Sequence, residues 1–182
     1  MPVDYDSNHI SCEKTFLAGT PATLVCPAGT KSFFVIMGSS TKLVKVTQIH
    51  VSGLTMTARA YNNVVARKIS SIPSGGTASE LEKTPADKIN VSTVSLCQVY
   101  TTAPTTDGTL VGTLQSNRIL INDNNPVQGD PQSEILLNFK ETFEESGIIL
   151  RGVDDGISVA FGSAPATAVT LSLEVEWTEI NN

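Results

Sequence analysis

The sequence contains little of what most catalytic and ligand-binding sites are built from. Charged residues make up 16% of its 182 residues, aromatic residues 5%, and there are two histidines. An average soluble domain carries about 25% charge. The three cysteines, Cys12, Cys26 and Cys97, are odd in number and show no CxxC spacing. We therefore predict buried, reduced thiols rather than a disulfide framework or a zinc site.

Net charge and hydropathy disfavour two classes of partner. The formal net charge is −6, and the largest basic cluster is the pair Arg67-Lys68. Nucleic-acid binders need a basic face that displaces counterions, so no nucleic-acid partner is expected. No apolar run approaches the roughly 18 residues of a membrane-spanning helix, so no membrane partner is expected either. The N-terminal residues also lack the basic start and apolar stretch of a signal peptide.

The closing segment of the chain shows the clearest structural pattern. Apolar and polar side chains alternate from residue 168 to residue 178. The apolar parity comprises Val169, Leu171, Leu173, Val175 and Trp177. Because successive side chains of a strand point to opposite faces, this segment is predicted to be a strand with one dry face. Trp177 is then either a core side chain or an interface anchor.

Similar strand patterns recur upstream. The apolar run Lys31–Gly38 is bounded by turn residues and predicts a strand buried on both faces. Lys42–Ser52 and Leu54–Arg67 predict two long strands that Ser52-Gly53 separates. Glu134–Glu141 predicts a later strand, because its apolar residues mostly alternate.

Turn and loop residues indicate how the strands are connected. A hairpin-like stretch is predicted around Ala22–Cys26, with turns on either side. A second hairpin is predicted between Gly147–Val153 and Gly156–Phe161, because Asp154-Asp155-Gly156 favours a tight turn. Ser70–Lys88 is predicted to be mainly irregular, and its residues 77–83 suit either one helical turn or a short β-bridge.

With eight to ten strands and no convincing helix, the chain is predicted to be an all-β, antiparallel β-sandwich, jelly-roll-like, with an extended N-terminal arm. The arm is predicted to span residues 1–11, and residues 12–182 are predicted to form a single β-sandwich domain. The predicted core comprises Leu54, Met56, Ile135, Leu137, Phe139, Ile157, Val159, Phe161, Val169, Leu171, Leu173 and Val175.

No group of residues in the sequence predicts catalysis, a cofactor or a metal ion. His9 and His50 are far apart in the chain, and each is interpreted as a surface imidazole. The acidic loops at 122–130 and 154–155 do not have EF-hand spacing, and whether either binds calcium stays open. The acidic run at 141–145 is interpreted as a solvated edge. We therefore expect a protein that is not an enzyme.

Five segments resemble the small virion structural proteins of tailed bacteriophages. These segments are Val51–Tyr61, Ser70–Thr77, Leu96–Leu114, Gly147–Phe161 and Leu171–Glu179. The resemblance implies a jelly-roll-like sandwich that assembles on a particle, often as a homotrimer. It implies most directly a capsid cement or decoration protein that clamps neighbouring copies of the major capsid protein. The chain would then be made in the host cytoplasm and located in the virion.

Three other functions remain as alternatives. The same fold would suit a tail or head–tail connector component, or a lectin-like receptor-binding module. The enzyme alternative is a hydrolase, whose activity would be lost when Glu144 or Asp154 is mutated. In the cement interpretation, residues 1–11 would become ordered across a neighbouring subunit by adding a strand to an exposed sheet edge.

Overall fold

The computed structural model describes residues 14–20, 23–86, 96–123, 133–142 and 147–181. The predicted N-terminal arm lies outside these residues, as do His9 and Cys12. The described residues form thirteen strands and one helical turn. These elements are β1 (Lys14–Gly19), β2 (Leu24–Cys26), β3 (Ser32–Met37), β4 (Lys42–Met56), β5 (Ala60–Ile69), β6 (Thr77–Glu80), β7 (Thr84–Pro85), β8 (Cys97–Thr102), β9 (Leu110–Ile121), β10 (Ser133–Asn138), α1 (Phe139–Thr142), β11 (Ile148–Leu150), β12 (Gly156–Phe161) and β13 (Val169–Asn181).

The strands form two antiparallel sheets that pack face to face. Sheet A has the order β10-β4-β13-β1-β7, with β11 also paired to β4 and β2 also paired to β13. Sheet B has the order β6-β8-β3-β12-β5-β9. Most connections pass from one sheet to the other, so neighbouring strands are distant in sequence, as in Greek-key and jelly-roll sandwiches. The predicted all-β antiparallel sandwich is confirmed.

The closing strand β13 lies in the middle of sheet A and pairs with β4 from Val169 to Asn181. Its apolar parity faces sheet B and is buried, as predicted, and Trp177 is fully buried in the core. Of the twelve predicted core residues, only Leu54 is not buried. Hydrophobic alternation therefore identified the inner face of the sandwich correctly.

The predicted break at Ser52-Gly53 is wrong, and so is the inward position of Leu54. Strand β4 continues through Gly53 to Met56, and the chain turns only at residues 57–59. A Cβ atom at Gly53 would lie 2.7 Å from Cγ1 of Ile121, so this glycine allows β9 to approach closely. The pairing with β13 shifts by one residue here, which leaves Leu54 in a bulge.

Both predicted hairpins are wrong, because their strands do not pair with each other. The second connects different sheets: β11 pairs with β4 in sheet A, whereas β12 pairs with β3 and β5 in sheet B. Asp155 stabilises this connection through two contacts. Its carboxylate accepts a hydrogen bond from the Arg151 backbone N–H at 2.9 Å and forms an ion pair with Lys68 at 2.6 Å. The first, around Ala22–Cys26, is likewise absent, since β1 and β2 both pair with β13.

Residues 70–86 are mainly irregular, as predicted, and β6 settles the alternative left open for residues 77–83 in favour of β structure. One other segment differs from expectation. The strand predicted to reach Glu141 ends at Asn138, and Phe139 begins α1 while remaining in the core.

The cysteine prediction is confirmed for the two thiols that the structure describes. Cys26 and Cys97 are both free and buried. Burial raises the pKa of Cys26 to about 12 and raises the pKa of Cys97 as well. Both thiols therefore stay protonated and behave as small apolar side chains.

Candidate functional site

The candidate residues that lie within the described ranges are not brought together. His50 lies on the outer face of sheet A, and its Nε2 is 3.2 Å from Oε2 of Glu134. Asp154 is exposed in the connection between β11 and β12. Within the described ranges, no three His, Cys, Asp or Glu side chains form a group that could hold a metal ion. The calcium question for residues 124–130 and the interpretation of Glu144 stay predictions, since both lie outside the described residues.

The outer face of sheet A carries apolar side chains on both flanks of a polar strip. The strip comprises outward side chains of β4 and β13, including Gln48, His50 and Glu174. The exposed apolar residues are Leu136 and Ile149 on one flank and Leu17 and Val25 on the other. Each lies between two buried, inward-facing residues of its own strand, so all four side chains point away from the core. We call these four residues and the strip between them the sheet A outer face.

The outer face of sheet B is covered at one end by the chain itself. Val35, Met37, Ile69 and Tyr100 form a second apolar cluster there. The Tyr100 hydroxyl donates a hydrogen bond to the Pro73 carbonyl at 2.9 Å. This cover explains why every residue of β3 is buried, as the sequence predicted for residues 31–38.

Asp107 contributes a polar contact to the same cover. Its Oδ1 accepts a hydrogen bond from the Ser32 hydroxyl at 2.9 Å, and Ser32 Oγ accepts one from Ser158. Its other carboxylate oxygen lies 3.7 Å from the Arg67 guanidinium. The carboxylate thus pairs with polar groups that the sheet would otherwise leave buried without partners.

The opposite end of the sheet B outer face is open and forms a polar concavity of about 320 Å³. Its lining residues are Tyr61, Asn62, Asn63, Arg118 and Ser163, which we call the Tyr61–Arg118 concavity. The Arg118 guanidinium carbon lies 4.8 Å from the centre of the Tyr61 ring, a cation–π contact. Tyr61 is 64% exposed, so the ring and the cation are both accessible from solvent.

A different cation–aromatic arrangement lies at the edge of the core. Glu179 is buried, and its carboxylate forms ion pairs with Lys42, at 2.6 Å, and with Lys83. The Trp177 indole N–H donates to the same carboxylate at 3.1 Å. The Lys83 ammonium also lies 3.7 Å from the centre of the Phe16 ring. We call these five residues the Glu179 cluster.

The electrostatics of the Glu179 cluster favour the charged carboxylate. Burial alone would raise the pKa of Glu179, but hydrogen bonds from Lys42, Lys83 and Trp177 outweigh it and hold the pKa below its ordinary value. Burial lowers the pKa of Lys83, which its contact with Glu179 partly offsets. Because the side chains of Lys83 and Glu179 are 3% and 2% exposed, a substrate cannot reach them. The cluster is therefore structural.

Sequence reasoning identified neither the Glu179 cluster nor the Tyr61–Arg118 concavity. The sequence did contain a signal for the Glu179 cluster. Glu179 lies two residues after the inward-facing Trp177, and Lys42 lies two residues before the inward-facing Val44, so both are in phase with core residues. No signal connected Tyr61 with Arg118, since 57 positions separate them and only the pairing of β5 with β9 brings them together. Nothing in local periodicity predicts which two strands become neighbours.

The chain matches no protein-family model, and no curated protein or solved structure matches it at a significant level. No helix among the described residues is long and apolar enough to cross a membrane.

Proposed function

We propose that this protein is a structural component of a tailed-phage virion, and specifically a capsid cement or decoration protein. In this role it clamps neighbouring copies of the major capsid protein and stabilises the head. The resemblance of five sequence segments to small virion proteins supports the proposal, and the antiparallel sandwich is the fold that this resemblance implies.

The observation that carries the proposal is the sheet A outer face. Four exposed apolar side chains, borne by four different strands, flank a polar strip on this face. The four side chains are spaced along the two flanks rather than contiguous, and protein interfaces combine such apolar anchors with polar groups. The major capsid protein is the proposed occupant, and a homotrimer would present three such faces to adjacent subunits at a gain in effective concentration.

The direct test is a reconstruction of purified particles with and without the protein. The proposal expects density on the head where capsomers meet, and heads that burst more easily when the protein is missing. Density confined to the tail would contradict the cement role and favour the connector alternative. The absence of the protein from every particle would overturn the virion proposal altogether.

Charge substitutions on the sheet A outer face provide a sharper test. Leu136→Glu and Ile149→Glu each place a carboxylate where the proposed interface would exclude water, and both should abolish co-sedimentation with heads that lack the protein. Val153→Glu is the matched control, because Val153 is also an exposed apolar residue but lies in the connection between β11 and β12. Equal binding by all three variants would show that this face does not contact the capsid.

A further inference from the structure

We propose that the Tyr61–Arg118 concavity is a binding site for a small acidic sugar, with Arg118 holding the carboxylate. This inference is independent of the proposed virion role, because it rests on a different surface of the molecule. Its ligand is a monosaccharide unit of the uronic acid type, and its binding residues are Tyr61, Asn63, Arg118 and Ser163.

Backbone pairing positions the side chains of the site. Asn63 on β5 lies directly opposite Arg118 on β9, and Tyr61 lies two residues along the same face. Side chains opposite or diagonal to one another across a strand pair are within contact distance. The three groups therefore converge on a rigid element rather than on a loop.

The fourth side chain is brought in by the connection between β12 and β13. The Gly162 backbone N–H donates a hydrogen bond to the Asn63 carbonyl at 2.8 Å. A Cβ atom at Gly162 would lie 3.0 Å from Cβ of Asn63, so only a glycine fits this approach without displacing its neighbour. Ser163 follows directly and lines the concavity.

The state of Arg118 points to an anionic ligand. Its guanidinium carbon lies 4.8 Å from the centre of the Tyr61 ring, and within the described part of the chain no carboxylate lies at ion-pair distance from it. Because Arg118 is also exposed, its N–H donors are accessible to a carboxylate, which a guanidinium can bind in a bidentate way. The lining contains no acidic residue, although the chain as a whole has a net charge of −6.

The remaining features distinguish a sugar acid from other ligands. One cation beside neutral donors suits a single negative charge, whereas phosphate sites commonly add further cations or backbone N–H groups. The amide of Asn63 and the hydroxyls of Tyr61 and Ser163 can bond to sugar hydroxyls. A volume of about 320 Å³ is at the lower end for small-molecule sites, which fits one monosaccharide unit. A neutral sugar is disfavoured, because Arg118 already covers a face of the Tyr61 ring.

The experiment is a titration of the full chain with sodium glucuronate, followed by two-dimensional amide NMR. We expect a dissociation constant of roughly 1 mM, since a ligand of this size gains only modest affinity. The amide signals of Tyr61, Asn63, Arg118 and Ser163 should shift. Glucose and acetate are the comparison ligands, because glucose has the sugar hydroxyls without the carboxylate and acetate has the carboxylate without the sugar hydroxyls.

Two variants of Arg118 and one control complete the test. Arg118→Gln should weaken glucuronate binding at least about tenfold, as expected when a charged hydrogen-bonding partner is lost. Arg118→Lys should also weaken it, because lysine keeps the charge but not the two-pronged donor geometry. Arg151→Gln is the control: Arg151 is also exposed but lies beside the start of β12, whereas the concavity lies beyond its end. The amide spectrum of each variant reports whether it is folded.

Each alternative result would overturn a defined part of the proposal. If glucose binds as tightly as glucuronate, the carboxylate is not recognised. If acetate binds as tightly, the site holds a carboxylate but no sugar. Unchanged binding by folded Arg118→Gln, or amide shifts confined to other surfaces, would show that the concavity is not the site.

Discussion

Lys83 and Arg118 both lie over an aromatic ring, yet their surroundings are opposite. The Lys83 ammonium lies 3.7 Å from the Phe16 ring centre, is almost fully buried and contacts the carboxylate of Glu179. The Arg118 guanidinium lies 4.8 Å from the Tyr61 ring centre and is exposed. The same pairing of a cation with a ring therefore serves two different purposes in one molecule.

The comparison shows how burial decides what a cation requires. A buried ammonium without a counter-charge is costly, so the fold must supply the carboxylate itself. An exposed guanidinium is hydrated and needs no internal partner, so its donors stay accessible to a ligand. The Glu179 cluster should therefore contribute to stability, whereas the Tyr61–Arg118 concavity should contribute to binding and little to stability.

The largest expected effect is that of Glu179→Gln. This change leaves the ammonium groups of Lys42 and Lys83 without their carboxylate, and breaking a buried ion pair costs about 3–5 kcal/mol. Urea unfolding of the variant and the wild type measures the difference. Glu174→Gln is the matched control on the outer face of β13 and should change stability by less than about 0.5 kcal/mol. Equal effects of the two variants would contradict the structural role of the cluster.

A smaller loss is expected for Lys83→Met. Glu179 keeps its contacts with Lys42 and Trp177, and the methionine replaces much of the lysine stem over the Phe16 ring. We expect a cost of about 1–3 kcal/mol in urea unfolding. The double variant Lys83→Met/Glu179→Gln should cost less than the sum of its parts, because the two side chains interact directly. Strict additivity would mean that they are not coupled.

The sequence predicted the features that depend on residues close together in the chain, and it did not predict those that depend on residues far apart in the chain. Alternation along β13 was sufficient to place Leu171 and Leu173 in the core, because burial of one face imposes a local period of two. The bulge at Leu54 was not predictable, since it depends on the register in which β4 pairs with β13. The hairpin expected around Asp154 failed for a related reason: a turn signal shows where the chain bends but not which sheet it enters.

The same limit applies to the two cation–aromatic arrangements. The Glu179 cluster could be predicted in part from the sequence, because Glu179 is in phase with the inward residues of its own strand. The position of Lys83 depends on the pairing of β7 with β1, and that of Arg118 on the pairing of β5 with β9. Both pairings join residues far apart in sequence, and no local pattern encodes them.

A further effect, smaller than that of either substitution at pH 7, is expected in acid. Because the pKa of Glu179 is lowered in the folded state, its contribution to stability is present above its ordinary value of 4.5 and is lost as the pH falls through the lowered pKa. Glu176 contributes in the same direction, since Thr47 and Lys140 outweigh its burial and lower its pKa. Urea midpoints between neutral and acidic pH should therefore fall less in Glu179→Gln than in the wild type. If the urea midpoints of the variant and the wild type fall by the same amount, the pKa of Glu179 does not change on folding.

Apart from the control variants, the smallest expected effect on stability is that of Arg118→Gln. An exposed cation–π contact contributes about 0.5–1 kcal/mol at most, so the urea midpoint should change little. Arg151→Gln, at another exposed site, should change it by less than about 0.5 kcal/mol. If Arg118→Gln destabilises the protein as much as Lys83→Met does, Arg118 is a structural residue and the contrast between the two cations fails. If it leaves the fold intact while glucuronate binding is lost, the exposed cation serves recognition and the buried one serves stability.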